Sequence, residues 1–315
     1  MINNLTFEIY NEINSELEFK WKDFNKENTS HIFQQVDFLK EHTKYKKSKF
    51  YYVTIFFEEK LFMIIPLEIK NFFGIRILQL IGTKEFDYCS PILSNLKNHI
   101  DKISFNNLWE KILNSISGYD LILLDKQPEK VRDIDNPFVK YLKNTYLSKV
   151  YLIDLPNSEA EYLEKFHDKK FLNEFLRTTK KLKKDCDVNF KILDDDETSI
   201  LSKIVNNKAH TLNKKKIKHI LDENFLNYFI ELKKRNKELF NISLLEINKE
   251  MISANMGFIY KKTFYYYLPT IFSNKYNKFS PGKILIFYLI GWCIKNNIKT
   301  FDFGIGDEDY KKYWS

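Results

Sequence analysis

The feature that most constrains this chain is an order of hydrophobic periodicities that it runs through twice. Lys49 to Phe57 and Leu61 to Ile69 are two β-rich runs joined by Glu58, Glu59 and Lys60, a pattern that predicts a hairpin. Ile75 to Ile81 supplies a third strand, a loop follows through Asp87, Tyr88 and Pro91, a helix is expected around Phe105 to Ile116, and an apolar run covers Leu121 to Leu124. The second pass repeats the order. Phe240 to Ile247 and Ile252 to Tyr260 flank Asn248-Lys249-Glu250, and Phe264 to Leu268 is the third strand. A helix then opens at Gly282 with Ile284, Leu285, Tyr288, Leu289 and Trp292 on one side, and Lys299 to Phe303 reads as a buried strand.

Helices precede each pass. Ile9, Ile13, Leu17, Trp21 and Phe24 recur at three- and four-residue steps and predict an amphipathic helix. Ser158-Glu159-Ala160-Glu161 has capping-box spacing and opens one long helix, or two, to about Lys184; Ile200 to Leu212 and Phe225 to Arg235 continue in helical period. The repeat is one of pattern rather than of residues. It predicts an α/β (α+β) chain of two halves, with mixed central sheets flanked by helices and a boundary near residue 150.

Composition agrees with two packed cores: 315 residues, 44% hydrophobic and 16% aromatic, exclude a mainly disordered chain. The net charge of +8 suits an anionic partner, and it concentrates in Lys165, Lys169, Lys170, Arg177, Lys180, Lys181, Lys183 and Lys184. Cys89, Cys186 and Cys293 are odd in number and lack a CxxC pair, which argues against a disulfide framework or a zinc site; His167, His210 and His219 share no ligand-like spacing with other donors, so no metal is expected. Residues 1–15 carry Glu8 and Glu12 rather than a basic start and apolar core, and the strongest apolar stretch, Ile284 to Ile294, falls short of the roughly 20 residues of a spanning helix. A soluble, cytoplasmic protein is the expectation.

Chemistry concentrates between Tyr276 and Trp314. A strand that feeds Ser280-Pro281-Gly282-Lys283 into a helix presents free backbone N–H groups and the positive helix end to an anion. Pro281 supplies the fixed φ of a helix start, Gly282 lets a ligand approach the backbone, and Lys283 adds charge. The strand ending in Asp302-Phe303-Gly304 places a carboxylate near the C-terminal edge of a sheet, where α/β folds keep their ligands, and Lys311 returns to the same cleft if Gly304 and Gly306 make a tight bend.

Ser280-Pro281-Gly282 with Leu285 in the next helix, then Phe301-Asp302-Phe303, Gly306, Tyr310-Lys311 and Trp314, resemble the C-terminal signature of the CelD-like GNAT acyltransferases. That group is similar to the Fem-type peptidoglycan aminoacyltransferases in having two GNAT-like halves. The resemblance extends through Arg177, Lys180 and Lys181 and the strand pair Leu244 to Phe258 with Ala254, and touches the first half at Gln34 to Phe38, Pro66-Leu67 and Asp87-Tyr88. Two departures stand out: Phe272-Ser273 occupy a place where relatives often carry Tyr-Asp, and the sequence stops at Ser315 where relatives often continue into further strand.

The resemblance implies two tandem GNAT-like halves, residues 1–150 as a degenerate copy and 151–315 carrying an acyl-CoA site. Acetyl-CoA or another acyl-CoA would be the co-substrate, with its pyrophosphate at Ser280, Pro281, Gly282 and Lys283. Asp302, Tyr310 and Lys311 are the catalytic candidates, with Asp302 and Lys311 expected to serve turnover more than stability; Arg177, Lys180, Lys181, Asp87 and Tyr88 are the substrate-binding candidates. The implied reaction is N-acylation of an amine on a small-molecule or lipid-linked precursor of surface polysaccharide, peptidoglycan or lipid. Two alternatives stay open: a Fem-type transfer from aminoacyl-tRNA, and a non-catalytic RNA- or membrane-binding module using the 165–184 stripe. That stripe lacks the aromatic interleaving of a base-stacking surface, which disfavours nucleic acid and leaves peripheral membrane association open.

Overall fold

The structure, a computed structural model, describes residues 5–94, 100–144, 148–193 and 198–315. The chain divides into two units, Met1–Leu147 and Ser148–Ser315.

Unit 1 runs β1 (Leu5–Tyr10), α1 (Ser15–Glu27), α2 (Val36–Lys44), β2 (Lys49–Phe57), β3 (Lys60–Phe72), β4 (Ile75–Leu80), β5 (Ile92–Leu93), α3 (Lys102–Ser115), β6 (Leu121–Ile122), β7 (Lys130–Val131), β8 (Ile134–Asp135) and α4 (Pro137–Tyr141). Its main sheet has the order β1-β2-β3-β4-β6 with β5 on β3. β1 to β4 pair antiparallel, and β6 joins β4 in parallel. The helical stripe expected from Ile9 to Phe24 is a correction: Ile9 lies in β1, and of the stripe Leu17, Trp21 and Phe24 are buried on α1, together with Asn25. Leu5, Phe7 and Ile9 alternate with Thr6 and Glu8 in the period of two that suits pairing with β2, and Asn14 starts the helix by accepting from the Leu17 N–H at 2.9 Å.

Unit 2 runs β9 (Val150–Asp154), α5 (Glu159–Lys165), α6 (Lys169–Asp185), β10 (Val188–Leu193), α7 (Thr198–Lys214), α8 (Glu223–Arg235), β11 (Phe240–Ile247), β12 (Glu250–Tyr260), β13 (Thr263–Ile271), α9 (Pro281–Lys295), β14 (Thr300–Ile305) and α10 (Asp309–Lys312). The sheet order is β10-β11-β12-β13-β14-β9. The stretch opened by Ser158 is two helices: Ser158 caps α5 through the Glu161 N–H at 3.1 Å, and Asp168 caps α6 afresh through the Phe171 N–H at 2.8 Å. Strands β9 and β10, unmarked by any strong alternation, were not expected as strands; each gains its place by pairing, β9 with β14 and β10 with β11.

Two helix layers cover the unit 2 sheet. α9 is apolar nearly all round and buries Ile284, Leu285, Ile286, Leu289, Ile290, Cys293 and Ile294, whereas α6 buries only the stripe Leu172, Phe175, Thr179 and Leu182 and leaves its basic side exposed. Phe171, Phe175, Phe287 and Trp314 pack together beside it. On the opposite face, Phe229 of α8 stacks on Phe258, and Asn207 of α7 donates to Thr270 Oγ1 and Ile271 O at 2.7 and 2.8 Å. The β12–β13 ladder carries a bulge at Met256/Gly257, where a Cβ on Gly257 would lie 2.7 Å from the Tyr265 carbonyl.

Among the described residues no helix is long and apolar enough to cross a membrane, and no cluster of three or more His, Cys, Asp or Glu is placed to hold a metal ion. Cys89, Cys186 and Cys293 are free thiols.

Candidate active site

The site is built where β13 and β14 part. The two parallel strands pair only at Thr263/Thr300, Phe264/Phe301 and Tyr265/Asp302, yet β13 continues to Ile271 and β14 to Ile305. Beyond Tyr265 the β14-side edge of β13 has no ladder partner among the described residues. Pro269 sits in that stretch without an N–H to donate, a position that an uninterrupted central strand does not tolerate.

The N-terminus of α9 follows the same strand. Ser280 is its N-cap and has left-handed backbone, φ 52° and ψ 63°, with no side-chain capping bond. The Lys283 and Ile284 N–H groups return to the Ser280 carbonyl at 2.9 and 3.2 Å, Pro281 has no N–H, and the Gly282 N–H has no backbone acceptor among the described residues. A Cβ built on Gly282 would meet only Ile271 Cδ1, at 3.6 Å. The turn is therefore an uncapped helix end with clear space in front of it, which fits an anionic group. Lys283 points its ammonium to the stacked rings of Phe171 and Tyr313, at 4.9 and 4.4 Å from their centroids. Burial lowers its pKa, against the attraction of Glu174.

The other wall comes from the end of β14. Asp302 and Lys311 are each only 3% exposed. Asp302 accepts the Gly304 N–H at 2.7 Å, and Lys311 Nζ lies 3.0 Å from the Ile305 carbonyl, 3.4 Å from those of Gly304 and Gly306, and 2.8 Å from Glu308. Gly304 and Gly306 have φ of 69° and 123°, so the bend is made and the lysine amine closes it. Stability was expected to be nearly indifferent to Asp302 and Lys311; their burial and bonding overturn the premise of exposed polar groups on which that expectation rested. Tyr310 is half-buried: its ring centroid is 6.2 Å from that of Phe303, and its phenol joins burial in raising the pKa of Tyr266. Asp307 instead accepts from the Tyr151 hydroxyl.

Three groups went unmarked in the sequence. Lys208 of α7 is half-buried, and burial lowers its pKa while the Glu308 carboxylate opposes the shift. On the α9 side, Ser243 and Asn255 are fully buried, and among the described residues the Ser243 hydroxyl and both Asn255 amide atoms have no hydrogen-bond partner. Asn255 stands opposite Pro269. No local motif marks such residues, because sheet register alone brings them to the parted strand.

The remaining candidates separate by unit. Arg177, Lys180 and Lys181 lie on the exposed face of α6. In unit 1, Gln34 donates to the Tyr88 carbonyl at 2.7 Å, Tyr88 stacks on His31 at 4.3 Å, and Asp87 is half-buried beside them in sequence. The structure thus joins the Gln34 and Asp87-Tyr88 segments that the sequence singled out.

A mixed sheet whose two parallel central strands part beside an uncapped helix end has a counterpart among known proteins: residues 169–312 match the family model described as an acetyltransferase (GNAT) domain. The chain carries a GNAT domain. It is accordingly a transferase of GNAT type, and the crossover β13-α9-β14 is the part of that domain which presents the opening. Solved structures share the fold over nearly the whole chain. FemX aligns with a TM-score of 0.62 at 12% identity, covering 98% of this chain and 94% of that one. The C-terminal domain of a putative lysylphosphatidylglycerol synthetase from Agrobacterium fabrum aligns with a TM-score of 0.51 at 10% identity, covering 95% and 82%, and L-PGS from Bacillus licheniformis with 0.51 at 14%, covering 95% and 78%. No curated protein sequence matches significantly. The GNAT domain together with the second mixed sheet of unit 1 makes a tandem arrangement.

Proposed function

We propose that unit 2 transfers an acyl group from acyl-CoA to an amine, and that the chain belongs to the CelD-like branch of the GNAT enzymes. The observation that carries this reading is the parting of β13 and β14 beside the uncapped Ser280-Pro281-Gly282 turn. Residues 280–283 would hold the pyrophosphate, with the Gly282 N–H as the available donor and clear space where a side chain would stand. The unpaired edge of β13 would place a backbone N–H on the thioester carbonyl, the interaction that strengthens as negative charge builds on that oxygen. Acyl-CoA supplies the activated carbonyl; the amine nitrogen forms the new C–N bond, the C–S bond breaks, and the thiolate leaves. Tyr310 is the group set to give that thiolate a proton, while Lys208 and Glu308 would take the proton that the amine sheds. Asp302 and Lys311 are positioning residues that hold the bend carrying Tyr310.

For the acceptor, the reading is an amine on a precursor of surface polysaccharide, peptidoglycan or lipid, the range that the Fem-type resemblance spans and in which one structural neighbour is named a lysylphosphatidylglycerol synthetase. Arg177, Lys180 and Lys181 would attract an anionic acceptor or the CoA phosphates; within unit 1, Asp87 and Tyr88 are substrate-binding candidates of their own. The exposed basic side of α6, though without base-stacking aromatics, would also attract the phosphates of aminoacyl-tRNA, the alternative donor.

Titration calorimetry of the full chain with acetyl-CoA tests the reading. Gly282→Val should weaken binding at least about tenfold, equivalent to 1.4 kcal/mol, with melting unchanged. Unchanged affinity in the folded variant overturns the site, and turnover with aminoacyl-tRNA but not with acyl-CoA overturns the donor.

A further inference from the structure

The hairpin joining β3 and β4 presents apolar surface left exposed among the described residues. Its turn residues Phe73 and Gly74 have φ of 50° and 88°, the mirror-image conformation of a two-residue hairpin closed by the Phe72/Ile75 pair. A left-handed backbone is costly for a bulky side chain. The other hairpins with two positive-φ residues place polar ones there: Glu58-Glu59, Asn248-Lys249 and Lys261-Lys262. Here the strained position carries a phenylalanine that is 91% exposed and packed edge-on against Phe72, with ring centroids 4.7 Å apart.

The surface extends beyond the turn. Phe72, Ile75, Ile77 and Leu121 occupy one face of the sheet by register, and Leu123 alternates onto the same face. Phe72, Ile75, Leu121 and Leu123 are 46%, 50%, 50% and 48% exposed. Basic groups border them. Lys70 is on that face, and the Lys84 ammonium lies 5.8 Å from the Phe72 ring. The nearby acids are engaged: Asp120 binds Arg76, Glu85 binds Lys46, and Asp125 accepts the Lys126 N–H.

The geometry points to this hairpin as a membrane-docking element that sets Phe72, Phe73 and Ile75 into the interface of an anionic lipid bilayer, with Lys70 and Lys84 at the headgroups. A strained, exposed aromatic pair gains from burial in the acyl boundary, and flanking lysines gain from negative lipid charge. Long lysine stems reach from an apolar surface to the headgroup layer. A protein partner would be expected to offer carboxylates to these lysines at fixed points; a lipid surface satisfies them without a fixed shape. This assignment does not depend on which donor unit 2 uses.

Cosedimentation of the full chain with phosphatidylcholine vesicles, with and without phosphatidylglycerol, tests it. The protein should bind the phosphatidylglycerol vesicles, less strongly as salt rises, and Phe73→Asn should weaken that binding about tenfold. Asn adopts the left-handed conformation more readily than Phe, so this variant should melt no lower than the wild type. Ile75→Thr, which keeps the strand preference, should also bind less, and Phe73→Trp should blue-shift its emission on vesicles. Both Phe73→Asn and Ile75→Thr should retain wild-type affinity for acetyl-CoA, which separates this result from the fate of the proposed donor site. Wild-type protein that ignores both vesicles, or variants that bind as well as wild type, would overturn the assignment. A concentration-dependent dimer dissolved by Phe73→Asn would overturn it in favour of self-association.

Discussion

The two units solve the same local problem in opposite ways. In each, an antiparallel run of strands passes into a helix and then a parallel strand, α3 and β6 in unit 1, α9 and β14 in unit 2. At the start of α3, Asp101 accepts the Ser104 N–H at 3.0 Å and its hydroxyl at 2.8 Å, and these bonds hold its carboxylate below the ordinary range. The positive end of that helix is occupied by the chain's own anion. At the start of α9, Ser280 makes no such bond, and the end stays open. One helix end is spent on stability and the other is kept for a ligand.

This contrast can be broken at several points. The largest effect should follow Tyr310→Phe, which removes the proposed thiolate acid and should lower kcat by about 10²-fold or more with little change in acetyl-CoA affinity or melting. Retained turnover would remove Tyr310 from the chemistry and leave unit 2 distinguished only by its open helix end. Lys311→Met should next cost about 1–3 kcal/mol in a denaturant titration, because it strips buried carbonyls of their donor. A variant as stable as wild type yet inactive would make Lys311 catalytic in its own right rather than a brace for the bend.

Acid should act on unit 1 first. Burial holds His31 down to about 3, with Arg132 adding to the effect, and His42 down to about 4, where Glu85 opposes and Lys46 and Lys70 assist. Both imidazoles stay neutral in the folded chain while the unfolded chain takes up protons below its value near 6.5. The shift therefore has no effect well above pH 6.5, and stability declines as pH falls from there toward 4 and 3. Hydrogen exchange should show unit 1 peptides losing protection between pH 7 and 5, and His42→Gln should flatten that decline. The smallest effect belongs to Asp101→Ala, which should lower melting slightly and leave one acetyl-CoA site per chain. A second site would show that the Asp101 carboxylate alone keeps anions out of unit 1.

Much of the architecture was legible because it rests on period and on local caps. The hairpins 49–69 and 240–260, the helix at Gly282 and the order of elements follow from alternation, apolar runs and turn residues, and Ser158 caps as its spacing implies. Where local signals conflicted, the sequence misled: the stripe including Ile9 and Ile13 crosses a strand, a cap and a helix, and pairing with β2 decided the outcome. The site was legible only in part. Ser280 to Lys283 announce themselves as a turn before a helix, but whether that end is capped depends on the left-handed backbone at Ser280.

The sequence by itself determined the periodicities, the Ser-Pro-Gly turn and the glycines that permit the bend after Phe303, because each acts over a few residues. Tertiary structure alone decided where β13 and β14 part, that Lys311 turns inward to three carbonyls, and that burial lowers the pKa of Lys208 against the pull of Glu308. Those outcomes depend on register between strands far apart in the chain and on which groups burial leaves unsatisfied, and neither quantity is written in any local pattern.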